Sequence, residues 1–125
     1  MPIEMAREKG GSVLAFTGRG VVTGSEILEM LEGVYATDFA ASDQLWDFTG
    51  ADRVDVATDE IRRMEALDRE VVSRDVSFRV AVAASQDLAF GLSRMWATFV
   101  DDIQIETHVA RTIKEAREWL DSAKQ

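Results

Sequence analysis

The residues most able to do chemistry in this chain are carboxylates. Asp47, Asp52, Asp55 and Asp59 crowd one short stretch, and oxygens gathered in this way are what a divalent cation takes. The stretch lacks the glycine-punctuated loop of a calcium site, however, and carboxylates in loops commonly cap turns and helix starts. Asp47 has no identifiable base or nucleophile to work with as a general acid or base. There is no cysteine, which removes thiolate nucleophiles, disulfides and cysteine metal sites. His108 is the single histidine; by alternation with its neighbours it reads as solvent-facing, with no nucleophile or ligand set beside it. Gly18, Gly20 and Gly24 lie where a nucleotide-binding loop would sit, but G-x-G-x-x-x-G is one residue off the dinucleotide fingerprint. They read as turn formers. The expectation is therefore no catalytic residue, no metal and no cofactor.

Composition narrows the partners. With 23 acidic against 14 basic residues the net charge is −9, a field that repels a phosphate backbone, so nucleic acid is not expected. A chain of 125 residues, 46% hydrophobic and 30% charged, reads as one globular domain over 1–125 with a core of its own. The opening Met1-Pro2-Ile3-Glu4 has neither a basic nor an apolar leader segment. No apolar run approaches the ~20 residues of a membrane span. A cytoplasmic location is expected.

The elements that must position these residues follow from apolar spacing. Ile3-Met5 and Val13-Phe16 predict an antiparallel hairpin turning through Lys9-Gly10-Gly11. Thr23-Gly24-Ser25-Glu26 is a capping box opening a helix that buries Ile27, Leu31 and Val34, with Leu28 and Tyr35 beside them. Leu45, Trp46 and Phe48 form a short buried strand. A second helix from about Thr58 carries Ile61, Met64, Leu67 and Val71 inward; Asp68 intrudes on that arc and is expected to pair with an arginine. Phe78–Ala83 reads as a strand covered on both faces. A third helix runs from about Gln86 to Val100, capped by Ser85. Ile103, Ile105, Thr107 and Val109 alternate with polar residues, as at a sheet edge. Thr112-Ile113-Lys114-Glu115 opens a last helix burying Ile113, Ala116 and Leu120. The order β-β-α-β-α-β-α-β-α predicts an α/β fold, a five-stranded mixed sheet with four helices.

Val22-Thr23-Gly24-Ser25-Glu26-Ile27-Leu28, Leu45 to Asp52, Asp87 to Met95 and Glu115 to Leu120 together resemble the STAS domain, and more closely the stand-alone SpoIIAA-like (STAS-like) proteins. The resemblance spans nearly the whole chain and implies that the first strand is an antiparallel edge. It also implies a phosphoacceptor motif, Asp-Ser-Ser/Ala-Gly, at the start of the second helix. Here that stretch reads Asp55-Val56-Ala57-Thr58-Asp59-Glu60, without the serine or the glycine. Thr58 is the remaining acceptor candidate; its plain role is helix N-cap, and Asp59 and Glu60 would repel a phosphate there.

Projected at 100° per residue, the third helix places Leu88, Leu92, Met95, Trp96 and Phe99 on one face and Phe90 opposite, near Arg94 and Ala97. A large aromatic off the core stripe suggests a contact surface. Phe90, Arg94 and Ala97, with Asp47, Thr49 and Asp52 in the loop after Trp46, are the candidate interaction surface. The expected function is a non-enzymatic, regulatory module acting through protein contacts. Homodimerisation through Ile103 and Ile105 or through Phe90 is a further expectation. The alternative is an apolar pocket between sheet and helices, lined by Trp96, Phe99 and Met64, that holds a small molecule or lipid.

Overall fold

A computed structural model describes residues 2–122, so Met1 lies outside the described residues. β1 (Ile3–Glu8) and β2 (Val13–Gly18) form the expected hairpin. Lys9, Gly10 and Gly11 all take positive φ (53°, 69° and 95°), a run of left-handed backbone that glycine adopts without steric cost. β3 (Gly20–Thr23) leads into α1 (Gly24–Tyr35); β4 (Asp43–Asp47) and β5 (Ala51–Asp55) precede α2 (Thr58–Val72). β6 (Phe78–Ala83), α3 (Asp87–Phe99), β7 (Ile105–Ala110) and α4 (Ile113–Ser122) complete the order.

The main sheet runs β1-β2-β4-β6-β7, with β1 antiparallel at one edge and the other pairings parallel. The five-stranded mixed sheet and four helices are as expected. β3 and β5 are additional: they pair in parallel as a separate two-stranded ribbon, Val22 opposite Val54 and Thr23 opposite Asp55. Their short runs, Gly-Val-Val-Thr and Ala-Asp-Arg-Val-Asp, read as loop because charged and glycine residues interrupt them.

Strand alternation divides the core in two. Even-numbered residues of β2, β4 and β6 (Leu14, Phe16, Trp46, Phe78, Val80, Val82) join the cluster that includes α1, α2 and α3 residues. Odd-numbered Ala15, Leu45, Ala81 and Ala83 join Ala110, Ala116 and Leu120 beneath α4. Phe16 stacks on Trp46 with ring centroids 4.0 Å apart and planes 10° from parallel, tying β2 to β4 on the three-helix face.

Helix starts differ in detail. The α1 capping box forms as expected: Glu26 N donates to Thr23 Oγ1, and Thr23 N donates to Glu26 Oε1 at 2.9 Å. At α2 the N-cap is Ala57, not Thr58, which is the first helical residue, and no side chain caps from that position; Ala57 N donates to Glu60 Oε1 at 2.9 Å, the acid's half of a capping box. At α3 the N-cap is Gln86, not Ser85, and its side chain makes no capping bond. At α4 Glu115 N donates to Thr112 Oγ1 at 3.2 Å, while the Glu115 carboxylate reaches His108. No helix among the described residues is long and apolar enough to cross a membrane.

Candidate functional site

Between the three-helix face of the sheet and α1, α2 and α3 lies a cavity of about 70 Å³. The spacing of its walls is helical and pleated in turn. β4 and β6 supply Gln44, Trp46, Val80 and Val82, every second residue of each strand. α2 supplies Ile61, Met64 and Asp68, an i, i+3, i+7 stripe, and α3 supplies Ala89, Leu92, Ser93 and Trp96. The lining is apolar and aromatic apart from Gln44, Asp68 and Ser93. The room exceeds what one water needs and falls below a drug-sized pocket.

A chain of hydrogen bonds runs through this apolar wall. Trp46 Nε1 donates to Gln44 Oε1 at 2.9 Å, and Gln44 Nε2 donates to Tyr35 Oη at 3.2 Å. Tyr35 Oη donates to Asp68 Oδ1 at 2.6 Å, and Trp96 Nε1 donates to Asp68 Oδ2 at 2.7 Å. Both bonds to Asp68 are short, as bonds to an ionised acceptor are. Gln44 and Asp68 are 2% and 1% exposed, yet no buried side-chain polar atom among the described residues lacks a partner. One carboxylate thus joins α1, α2 and α3, and through Gln44 the sheet.

Burial raises the Asp68 pKa to about 6, opposed by the two hydrogen bonds. Burial and the neighbouring Asp68 charge push the Tyr35 hydroxyl up in turn, so Tyr35 stays a neutral donor. Among the described residues no arginine pairs with Asp68: the next residue, Arg69, points away to Glu65, Asp102 and the Phe99 carbonyl. Asp68 was legible as an intruder on an apolar arc; its partners lie 33 and 28 residues away, beyond any helical spacing. Gln44 and Tyr35 gave a weaker signal, a polar residue within a buried strand and an aromatic whose hydroxyl needs a partner.

The cavity matches the expected pocket in Met64 and Trp96 but not in Phe99, whose ring is covered by the Arg62 guanidinium at 3.8 Å. Leu88, expected on the buried face of the third helix, is 64% exposed, and Ala89 is the residue of α3 that is buried. Leu92 and Trp96 of the projected stripe do face inward, but Ala89 and Ser93 complete the inner face in place of Leu88 and Phe99. Phe90 is half-buried against the core, with Arg111 stacked on its ring at 3.9 Å and Arg94 at 5.9 Å. Arg111 also bonds the Ser85 carbonyl and Asp87. Arg94 is exposed and Ala97 half-buried.

The loop candidates sit beside the start of α3. Gln86 Nε2 donates to the Asp52 carbonyl at 3.1 Å. Asp47 Oδ1 accepts from Thr49 N and Thr49 Oγ1 at 2.9 and 2.6 Å, a turn cap. Asp55 faces Arg53 and Asp59 faces Arg63, so the four acids do not converge. Thr58 is exposed on the first turn of α2. Gly20 takes φ +62° at the start of β3, and a Cβ at Gly24, the first residue of α1, would run into the Glu60 carboxylate; an acid occupies the place a phosphate would want. His108 is not on a free solvent face. It opposes Ala81 on the α4 side, bonds Glu115 at 3.1 Å and stacks on Trp119 at 5.3 Å. Ile105 is buried and Ile103 half-buried, so of the expected edge pair only Ile103 reaches the surface.

No protein-family model matches the chain, and no curated protein matches it. Solved structures do. An uncharacterized protein of the DUF3478 family with a SpoIIAA-like fold, from Shewanella loihica PV-4, is 21% identical over 94% of this chain and 91% of that one, with a TM-score of 0.55. The anti-sigma factor antagonist SpoIIAA in its unphosphorylated form is 10% identical over 95% of this chain and 97% of that one, with a TM-score of 0.57. Together with the sheet order and the helix placement, these likenesses establish that the chain has the SpoIIAA-like, or STAS-like, α/β fold.

Proposed function

We propose that this protein is a non-enzymatic, cytoplasmic regulatory module that holds a small, mostly apolar molecule, or the apolar end of a longer one such as a lipid, in the cavity beneath α1, α2 and α3. The observation that carries this reading is the cavity itself, aromatic-walled and placed between sheet and helices. Trp46, Trp96 and Met64 offer contact area and polarisable surface, and the Asp68 network fixes the orientation of the two tryptophans. A regulatory role is supported by the likeness to an anti-sigma factor antagonist. Native mass spectrometry of protein purified from its own cells tests the proposal. The expected result is a small added mass that Leu92→Trp, which fills the cavity, removes. A bare polypeptide mass, with no apolar compound bound on addition, overturns it.

A second reading, contact with another protein, is favoured by the outer side of α3. Leu88 stands 64% exposed one residue from cavity-lining Ala89, so one helix carries both the cavity wall and a surface. Phe90, Arg94 and Ala97, with Asp47, Thr49 and Asp52 across the Gln86–Asp52 bond, form the proposed contact area. Hydrogen exchange in the presence of native partners checks it: slowed exchange along α3 supports this reading, and unchanged exchange there with a partner bound elsewhere rejects it.

A further inference from the structure

Resting on the reading of the cavity as a ligand site, we infer that its ligand carries a positive charge: the cavity is built for a small alkylammonium ion seated against Asp68 among the tryptophans. The argument is one of charge balance. Asp68 is 1% exposed and lines the cavity, yet its partners, Tyr35 and Trp96, are both neutral. Among the described residues it makes no ion pair. A buried carboxylate without a counter-ion is costly, and buried charges are ordinarily paired. An ionised carboxylate offers about four acceptor positions; Tyr35 and Trp96 use one on each oxygen, leaving capacity for an N–H donor.

The remaining walls suit a cation as well. Trp46 and Trp96 line the cavity with Phe48, and aromatic faces attract ammonium groups, tryptophan most strongly. Ser93 Oγ donates to the Ala89 carbonyl at 2.8 Å, so its lone pairs are free to accept. Among the described residues, no group facing Asp68 supplies competing positive charge. α1 presents neutral Tyr35, β4 presents Gln44 and Trp46, β6 presents Val80 and Val82, and α3 presents Ser93 and Trp96. On α2 the neighbouring charges are Glu65, which adds to the negative field, and Arg69, already held by Glu65 and Asp102. The size of the cavity, about 70 Å³, suits a headgroup of a few heavy atoms, with any longer tail leaving through the opening.

The test uses an isosteric pair, tert-butylammonium and tert-butanol, titrated into the full chain at pH 8 and followed by heteronuclear NMR. The expected result is at least tenfold tighter binding of the ammonium ion, a preference that weakens as pH drops through about 6, the Asp68 titration. Asp68→Asn should abolish the preference and leave tert-butanol binding in place. Should that variant fail to fold, the wild-type carboxyl carbon signal of Asp68 decides instead, since the ammonium ion must lower its titration midpoint and the alcohol must not. Equal binding of the two probes overturns the charge inference while sparing the cavity reading. Binding of neither rejects both.

Discussion

The two faces of the sheet are built from different side chains and reach different ends. Beneath α4 the strands offer Ala15, Ala81, Ala83 and Ala110, which α4 meets with Ala116 and Leu120. Methyl-sized side chains let a helix approach closely. The rim of that contact is held by charge: Arg79 Nη2 lies 2.7 Å from Asp43 and its Nη1 donates to the Leu120 carbonyl, while Arg117 pairs with Glu8. On the opposite face three helices meet Phe16, Trp46, Val80 and Val82. Large, differently shaped side chains on three strands and three helices do not close completely; a cavity and a buried carboxylate remain. The alanine face is packed by small side chains, whereas the aromatic face keeps room and a carboxylate that makes no ion pair among the described residues. Those are the ingredients of a binding site.

The sharpest way to break this contrast is to add volume to each side. Ala81 is 0% exposed under α4, so Ala81→Leu should cost about 3 kcal/mol by overpacking. Leu92→Phe, which grows into the cavity, should change stability by less than about 1 kcal/mol. Urea unfolding of both variants measures the difference, and equal losses would erase the distinction between the faces.

Protonation gives the next largest effect. The Asp68 pKa stands raised to about 6 from 3.8, so the folded state binds its proton more readily than the unfolded state does. Lowering pH from 7 to 5 should therefore raise the Asp68 contribution by roughly 1 kcal/mol, and by roughly 3 kcal/mol once both pKa values are passed. Glu8 on the other face has the opposite sign: the Arg117 bond holds it below its ordinary 4.5, and its contribution is lost only as pH falls through that lowered value. Urea midpoints at pH 7 and 5 should rise in the wild type and stay flat in Asp68→Asn. The smallest effect belongs to Arg117→Ala. Its pair with Glu8 is largely exposed, so the loss should stay within about 0.5 kcal/mol; a larger one would mean that charge, and not alanine packing, seats α4.

Much of this architecture was readable from spacing alone. The hairpin, the α1 capping box and the apolar β6 all depend on neighbours in sequence, or on alternation; the place of β1 at the antiparallel edge came from the family resemblance. β3 and β5 were not readable, because each is short and is stabilised mainly by the other across some thirty intervening residues. The inner face of α3 was missed in part for a related reason. Leu88 and Ala89 both fit a helical stripe, and only the place of Trp96 above Asp68 decides which is buried. In the cavity, Met64, Trp96 and the intruding Asp68 were visible; the Tyr35–Asp68–Trp96 junction was not, since a hydrogen bond between three helices leaves no local pattern.

The three tryptophans offer the most direct measurement of the central claim, that the aromatic face and not the alanine face binds small molecules. Trp46 and Trp96 line the cavity, while Trp119, on α4, stacks on His108 of β7 at the other face of the sheet. Titration of tert-butanol into labelled protein should shift the indole N–H resonances of Trp46 and Trp96 saturably and leave that of Trp119 in place. Movement of Trp119 alone, or of none of the three, would contradict the account.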